Sequence, residues 1–240
     1  MNCSRTLGGI ALTMALCGSM AFAQPASSPR VAAAGVEDEA FRNEAAAQYR
    51  KILAGLSARG QLDDDEVTLE RVRRIAKGLI VASAEVRPET GTWSWEVHVT
   101  SDRSKGAFCM AGGKVLVGSG LVRGLDLGDG ELAMLLGHEI AHAVAGHRRE
   151  ALRSSMDADV AQEIRQAEIA VMQEDEADRI GMTLAYRAGW PATSLVSFYD
   201  KLAAQEGPGT FNSSHPTAQS RAAMARAMAK QLDLQPRLIE

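Results

Sequence analysis

The period of the apolar positions changes along the chain and divides it into a helical start, a short β stretch and a helical remainder. Residues 37–58 and 63–84 carry helical patterns, and the acidic cluster Asp63-Asp64-Asp65-Glu66 suits the start of the second, where the helix dipole favours negative charge. Residues 93–99 (WSWEVHV) alternate large apolar and polar side chains with period two, which predicts a strand. His98 falls on its polar face and reads as an exposed strand histidine. Residues 107–110 and 114–117 predict a further strand pair, with a turn at Ala111-Gly112-Gly113. From Asp129 onward the chain is mostly helical. Asp129 is a candidate N-cap for a helix carrying Leu132, Leu135, Leu136 and His138. Further helices are predicted over 154–188, stopped by Gly189-Trp190-Pro191, over 192–206, ended by Gly207-Pro208-Gly209, and over 216–231. The fold class predicted is α+β: mostly helical, with a small antiparallel sheet beside the helix that holds His138.

Composition agrees with one globular domain. Of 240 residues, 46% are hydrophobic and 23% charged, so a core can form. The net charge of −4, with both signs interspersed and no basic patch, argues against a nucleic-acid partner. The N-terminus reads as an export signal: Arg5, an apolar stretch from Leu7 to Cys17, and Ala21-Phe22-Ala23 as the cleavage site. This divides the chain into a signal peptide (1–23), a flexible leader (24–36) and a single domain (37–240), with N-terminal helices over 37–84 and a catalytic core over 85–231. Nothing downstream of the signal is long and apolar enough to span a bilayer. The mature chain keeps only Cys109, so it forms no internal disulfide and its thiol is expected to be buried.

The chemistry is concentrated in His138-Glu139-Ile140-Ala141-His142, an H-E-x-x-H motif. Residues four apart on a helix differ by only about 40° in direction, so both imidazoles leave one face and can hold one Zn²⁺. Glu139 lies about 100° round from His138, where a general base belongs. A catalytic zinc needs a third protein ligand and an open position. His147, nine residues after His138, falls on the opposite face of a continuous helix and reads as structural or solvent-facing. The better candidate is Glu174 in Glu174-Asp175-Glu176-Ala177-Asp178. Glu174 and Asp178 share a helix face. Glu174 can complete a His₂Glu set, and Asp178 can bond the outer nitrogen of a ligand histidine. Taken alone, the same five residues would read as a solvated acidic face.

These segments resemble the zinc metallopeptidases that include the CAAX prenyl protease and the heat-shock protease HtpX, gluzincins, and in particular their soluble periplasmic BepA-like branch. The resemblance rests on Gly106 to Val117 with Gly120-Leu121, on His138 to His142 with His147, on Glu174 to Asp178 with Gly181, and on His215-Pro216 with Arg221. It covers roughly residues 65 to 230. Gly106 and Ala111 depart from it, since the family usually has Asn and Pro there. The resemblance implies a zincin-like fold, one Zn²⁺ per chain on His138, His142 and Glu174, and Glu139 as catalytic acid/base. It places His215 near the metal, either stabilising an oxyanion or latching the open coordination site. Arg221 is expected to position that loop, to bind a substrate carbonyl, or to be a plain surface arginine.

The function expected is zinc-dependent endopeptidase cleavage of misfolded or unfolded envelope proteins in the periplasm of a Gram-negative bacterium, with peripheral envelope association allowed. An extended substrate is expected to add a strand along Lys114, Val115, Leu116 and Val117. The alternative is a metal-binding, chaperone-like module that holds unfolded proteins without cleaving them.

Overall fold

A computed structural model describes residues 29–147, 160–205 and 217–232, with side chains described from Asp38 and, in the second block, from Glu168. Residues 1–28, which include the predicted signal peptide, and His215 lie outside the described residues. The elements are α1 (Pro29–Ala58), α2 (Glu66–Val86), a 3₁₀ turn (Pro88–Thr92), β1 (Glu96–Thr100), β2 (Ala107–Met110), β3 (Lys114–Gly118), α3 (Ser119–Gly124), α4 (Asp129–Ala145), α5 (Val160–Arg187), α6 (Ala192–Gln205) and α7 (Ala218–Leu232). The predicted leader is therefore helical from Pro29 onward. Among the described residues, no helix is long and apolar enough to cross a membrane.

Local chemistry accounts for the helix starts. The Asp65 carboxylate accepts from the Thr68 backbone N–H at 3.0 Å and caps α2. From there Leu69, Val72, Ile75, Ala76, Leu79 and Ala82 form one buried stripe at three- and four-residue spacing. Helix α4 begins one residue earlier than Asp129 would allow as a cap: Gly128 is the N-cap. Its N–H donates to the Glu131 carboxylate at 2.6 Å. Asp129 sits in the first turn and pairs with Arg71 and Arg74 of α2, at 2.5 and 2.7 Å. Two arginines on a neighbouring helix thus compete successfully with the local capping role.

The sheet is mixed rather than antiparallel. β2 and β3 pair antiparallel as the glycine turn predicts, from Ala107 opposite Val117 to Met110 opposite Lys114. β1 joins the other side of β3 in parallel, from Glu96 opposite Lys114 to Thr100 opposite Gly118. The strand order is β1-β3-β2, so the last strand in sequence is central. Every residue of β3 is buried, as expected for a strand covered on both faces. His98 on β1 is partly buried, with its Nδ1 2.7 Å from Asp63, so its polar face meets the α1–α2 connection and not open water.

The main core lies between this sheet and the helices. Helix α4 is buried nearly all round, through Leu132, Ala133, Met134, Leu135, Leu136, Ile140, Ala141, Ala143 and Val144. Against it pack α2, β2, α5 and α6. A smaller cluster under α1 joins Tyr49 and Leu56 to Met110 and Leu116. Cys109 is buried, as expected.

Helices α4 and α5 touch backbone to backbone. A Cβ on Gly137 would lie 2.6 Å from the Gly181 carbonyl oxygen, and a Cβ on Gly181 would lie 2.6 Å from the His138 nitrogen. No methyl group fits at either position without moving a helix. Gly181→Ala should lower unfolding free energy by about 1–3 kcal/mol, the usual cost of overpacking. Gly120→Ala, where nothing lies within 4 Å of the added Cβ, should leave stability unchanged or slightly raised. Urea denaturation of both variants checks the contrast.

Candidate metal centre

The contact between Gly137 and Gly181 places the two halves of the site opposite one another. His138 and His142 project from one face of α4, and Glu174 lies two turns before Gly181 on α5. His138 Nε2 and His142 Nε2 are 3.0 Å apart. Glu174 Oε2 is 3.4 Å from His138 Nε2, and Oε1 is 3.2 Å from His142 Nε2. Zinc ligated at about 2.0–2.1 Å in a tetrahedron has ligand atoms about 3.3 Å apart. The separations, which reach the carboxylate through both of its oxygens, lie within about 0.3 Å of that edge length. They are also too close for two lone pairs and a carboxylate to face one another without a cation or proton between them. The donor set, two imidazoles and one carboxylate, is a three-ligand zinc set that leaves a position open.

The surroundings hold the ligands in orientation. His138 Nδ1 lies 2.8 Å from Asp178 Oδ1, so its other nitrogen is free to turn toward the centre. Asp178 is 3% exposed and is the hub of a buried network. It accepts from Arg221 Nε at 2.8 Å and Nη2 at 2.7 Å, and from the Tyr199 hydroxyl at 2.6 Å. Burial opposes ionisation of this carboxylate, but the bonds from Arg221 and His138 prevail and hold its pKa below the usual range. Arg221 Nη1 also comes within 3.7 Å of Glu174 Oε2. Burial likewise opposes the charged form of His138. Its bonds to Asp178 and Glu174 outweigh that and raise its pKa to about 9.

The structure thus brings together His138, His142, Glu174, Asp178 and Arg221, and Glu139 stands partly buried on α4 beside them. Arg221 is not a surface arginine: it is a buried partner of Asp178. Two residues were missed. Tyr199 gave no signal, since a tyrosine inside an amphipathic helix looks like core. His147 was placed on the wrong side. Helix α4 ends at Ala145, and Gly146 takes a left-handed conformation with φ of 80°. That turn returns His147 to the site, with its Nδ1 2.9 Å from His142 Nδ1. The glycine four residues after His142 was the available sign of a helix end.

The proposed substrate strand is corrected outright. Lys114, Val115, Leu116 and Val117 lie in the central strand, hydrogen-bonded on both sides and buried, so no added chain can pair with them. The edge facing α4 belongs to β2, which packs against that helix. Of the two departures from the family pattern, Gly106 has open space where a side chain would project, so its lack of one does not deform the strand.

Residues 66–172 match the family model described as peptidase family M48. Over these residues the chain is similar to peptidase family M48. The match spans the H-E-x-x-H helix and stops two residues short of Glu174, so it is geometry that joins that carboxylate to the M48 histidines. Among curated proteins, the chain is 26% identical to the mitochondrial metalloendopeptidase OMA1 of Schizosaccharomyces pombe, over 72% of this chain and 56% of that protein. It is 29% identical to the metalloprotease YcaL of Escherichia coli, over 54% of this chain and 59% of that protein. It is 30% identical to the beta-barrel assembly-enhancing protease of Escherichia coli, over 52% of this chain and 32% of that protein. The chain therefore spans less than two thirds of the length of these relatives.

Glu174→Ala should reduce bound zinc from near one per chain to a small fraction, read by elemental analysis after dialysis. Asp178→Asn should weaken zinc binding about 10- to 100-fold in chelator competition. It should also cost about 3–5 kcal/mol of folding stability, because Arg221 stays buried without its carboxylate.

Proposed function

We propose that this chain is a zinc-dependent metalloendopeptidase with His138, His142 and Glu174 as ligands and Glu139 as general acid/base. The observation that carries the reading is the convergence of His138, His142 and Glu174, one ligand atom of each within 4.8 Å of the others, beside the helix that also bears Glu139. Bound zinc supplies Lewis acidity, which polarises a peptide carbonyl and makes water acidic near neutral pH. Glu139, next to His138 on the same helix, takes the proton from the attacking water and returns it to the leaving amine. Asp178 keeps the His138 lone pair directed at the centre, and Arg221 with Tyr199 keeps Asp178 ionised and in place. His215 is assigned, by resemblance alone, to stabilising the oxyanion or to latching the open coordination site.

An extended substrate is assigned to the outer edge of β2, Ala107–Met110, on two grounds. β2 is a terminal strand of the sheet, and it lies against α4. Main-chain pairing along an edge reads backbone more than side chains, so loosened or unfolded polypeptides are the substrate class. The names of the curated relatives (metalloendopeptidase, metalloprotease, beta-barrel assembly-enhancing protease) support proteolysis, and the last supports envelope proteins as targets. The export signal at Arg5 to Ala23 supports action in a Gram-negative periplasm.

Glu139 also separates this reading from a chaperone-like module built on the same metal centre, because holding without cutting has no use for a general base. Glu139→Gln should keep one zinc per chain and lose at least about 100-fold in casein cleavage. A zinc-loaded variant that cleaves at the wild-type rate refutes the assignment. A wild-type protein that suppresses aggregation of an unfolded client and never cleaves it supports the holding module instead.

A further inference from the structure

The two ligand histidines are supported differently. His138 is backed by a carboxylate, Asp178, at 2.8 Å. Behind His142 stands another histidine: the two Nδ1 atoms of His142 and His147 are 2.9 Å apart. His147 Nε2 in turn lies 3.2 Å from Glu176 Oε2. His147 is 4% exposed, whereas the Glu176 side chain is 59% exposed, so the row runs from the metal centre to the surface of α5.

One arrangement of protons satisfies every contact in that row. His142 Nε2 faces His138 Nε2 and Glu174, so its lone pair is committed to the centre. A neutral His142 then carries its proton on Nδ1. Two N–H groups cannot face each other at 2.9 Å, so His147 Nδ1 must accept. His147 then carries its own proton on Nε2 and donates it to the Glu176 carboxylate.

We propose that His147 is a positioning residue for the metal: it accepts the His142 Nδ1 proton, with Glu176 fixing its tautomer, and so presents the His142 Nε2 lone pair to zinc. It does for His142 what Asp178 does for His138, with a neutral acceptor in place of a charged one. The device depends on Gly146, whose left-handed turn brings His147 back to the face that a continuous helix would turn away. The inference rests on the zinc reading of the site.

The test is zinc affinity of the full chain by chelator competition, with metal-free melting as a check on folding. His147→Phe removes the acceptor and should weaken zinc binding about 10- to 100-fold. His147→Asn keeps an oxygen close to the place of Nδ1 and should recover most of that loss. Wild-type affinity in His147→Phe overturns the proposal. So does an Asn variant that binds no better than Phe, because lost packing would then be the cause. Nitrogen NMR of zinc-loaded wild-type protein gives an answer that needs no variant to fold. His147 should show an unprotonated Nδ1 and a protonated Nε2, and the opposite tautomer or a doubly protonated ring overturns the proposal. Wild-type protein that takes up no zinc sinks the peptidase reading itself, whereas zinc uptake indifferent to His147 sinks only this one.

Discussion

The metal centre depends on two helix backbones that come into contact. Helix α4 carries two imidazoles and α5 carries a carboxylate, and a hydrogen-bond-scale site demands that the helices meet within a few tenths of an ångström. Gly137 and Gly181 make this possible by having nothing to interpose. The pairing acts at a distance along each helix. Gly137 immediately precedes His138, and Gly181 lies two turns beyond Glu174, so the crossing fixes both ligand sets without either glycine touching the centre. Buried apolar side chains on every other face of α4 then prevent the helix from rotating.

The electrostatics follow from that packing. Bringing Glu174, Asp178 and His138 into a dry space would be unfavourable for each alone. Arg221 and Tyr199, from two later helices, make it tolerable by placing donors on Asp178, and Arg221 also approaches Glu174. The C-terminal helix is thereby part of the site, since α7 delivers the guanidinium that keeps the Asp178 carboxylate charged. Charge and fold are coupled here: a site that needs carboxylates in the interior needs a late segment of the chain to complete it.

The sheet serves a different purpose. Its central strand is β3, buried on both faces, and its terminal strand β2 lies against the H-E-x-x-H helix. The strand order thus sets a sheet edge beside the helix that carries His138 and His142. Strand order, and not strand sequence, decides which residues take that part. The sequence of β3 is regular and apolar, which is why it looked inviting, and the same property is what buries it.

Much was legible beforehand because it is local. The i, i+4 spacing of His138 and His142 follows from helix geometry, and the spacing of Glu174 and Asp178 follows in the same way. The β2–β3 turn, the acidic start of α2 and the stop after α5 are each written in a few neighbouring residues. Contacts between distant segments were not legible. Periodicity says that a residue is in a strand but not which strand it joins, so the parallel pairing of β1 and the central place of β3 stayed hidden. Arg221 was singled out by resemblance, but its partner was not legible, because nothing near it reveals a carboxylate 43 residues earlier in the chain. Tyr199 gave no signal, because its bond to Asp178 also joins distant segments. His147 was misplaced because a continuous helix was assumed through Gly146, and one left-handed residue reverses the direction of all that follows. By itself, then, the sequence determined that His138 and His142 share one helix face beside Glu139 and that Glu174 shares another with Asp178, since short-range helix geometry sets those spacings. The tertiary structure alone decided which groups support them and which strand lies at the edge of the sheet, because those depend on the order in which distant elements pack.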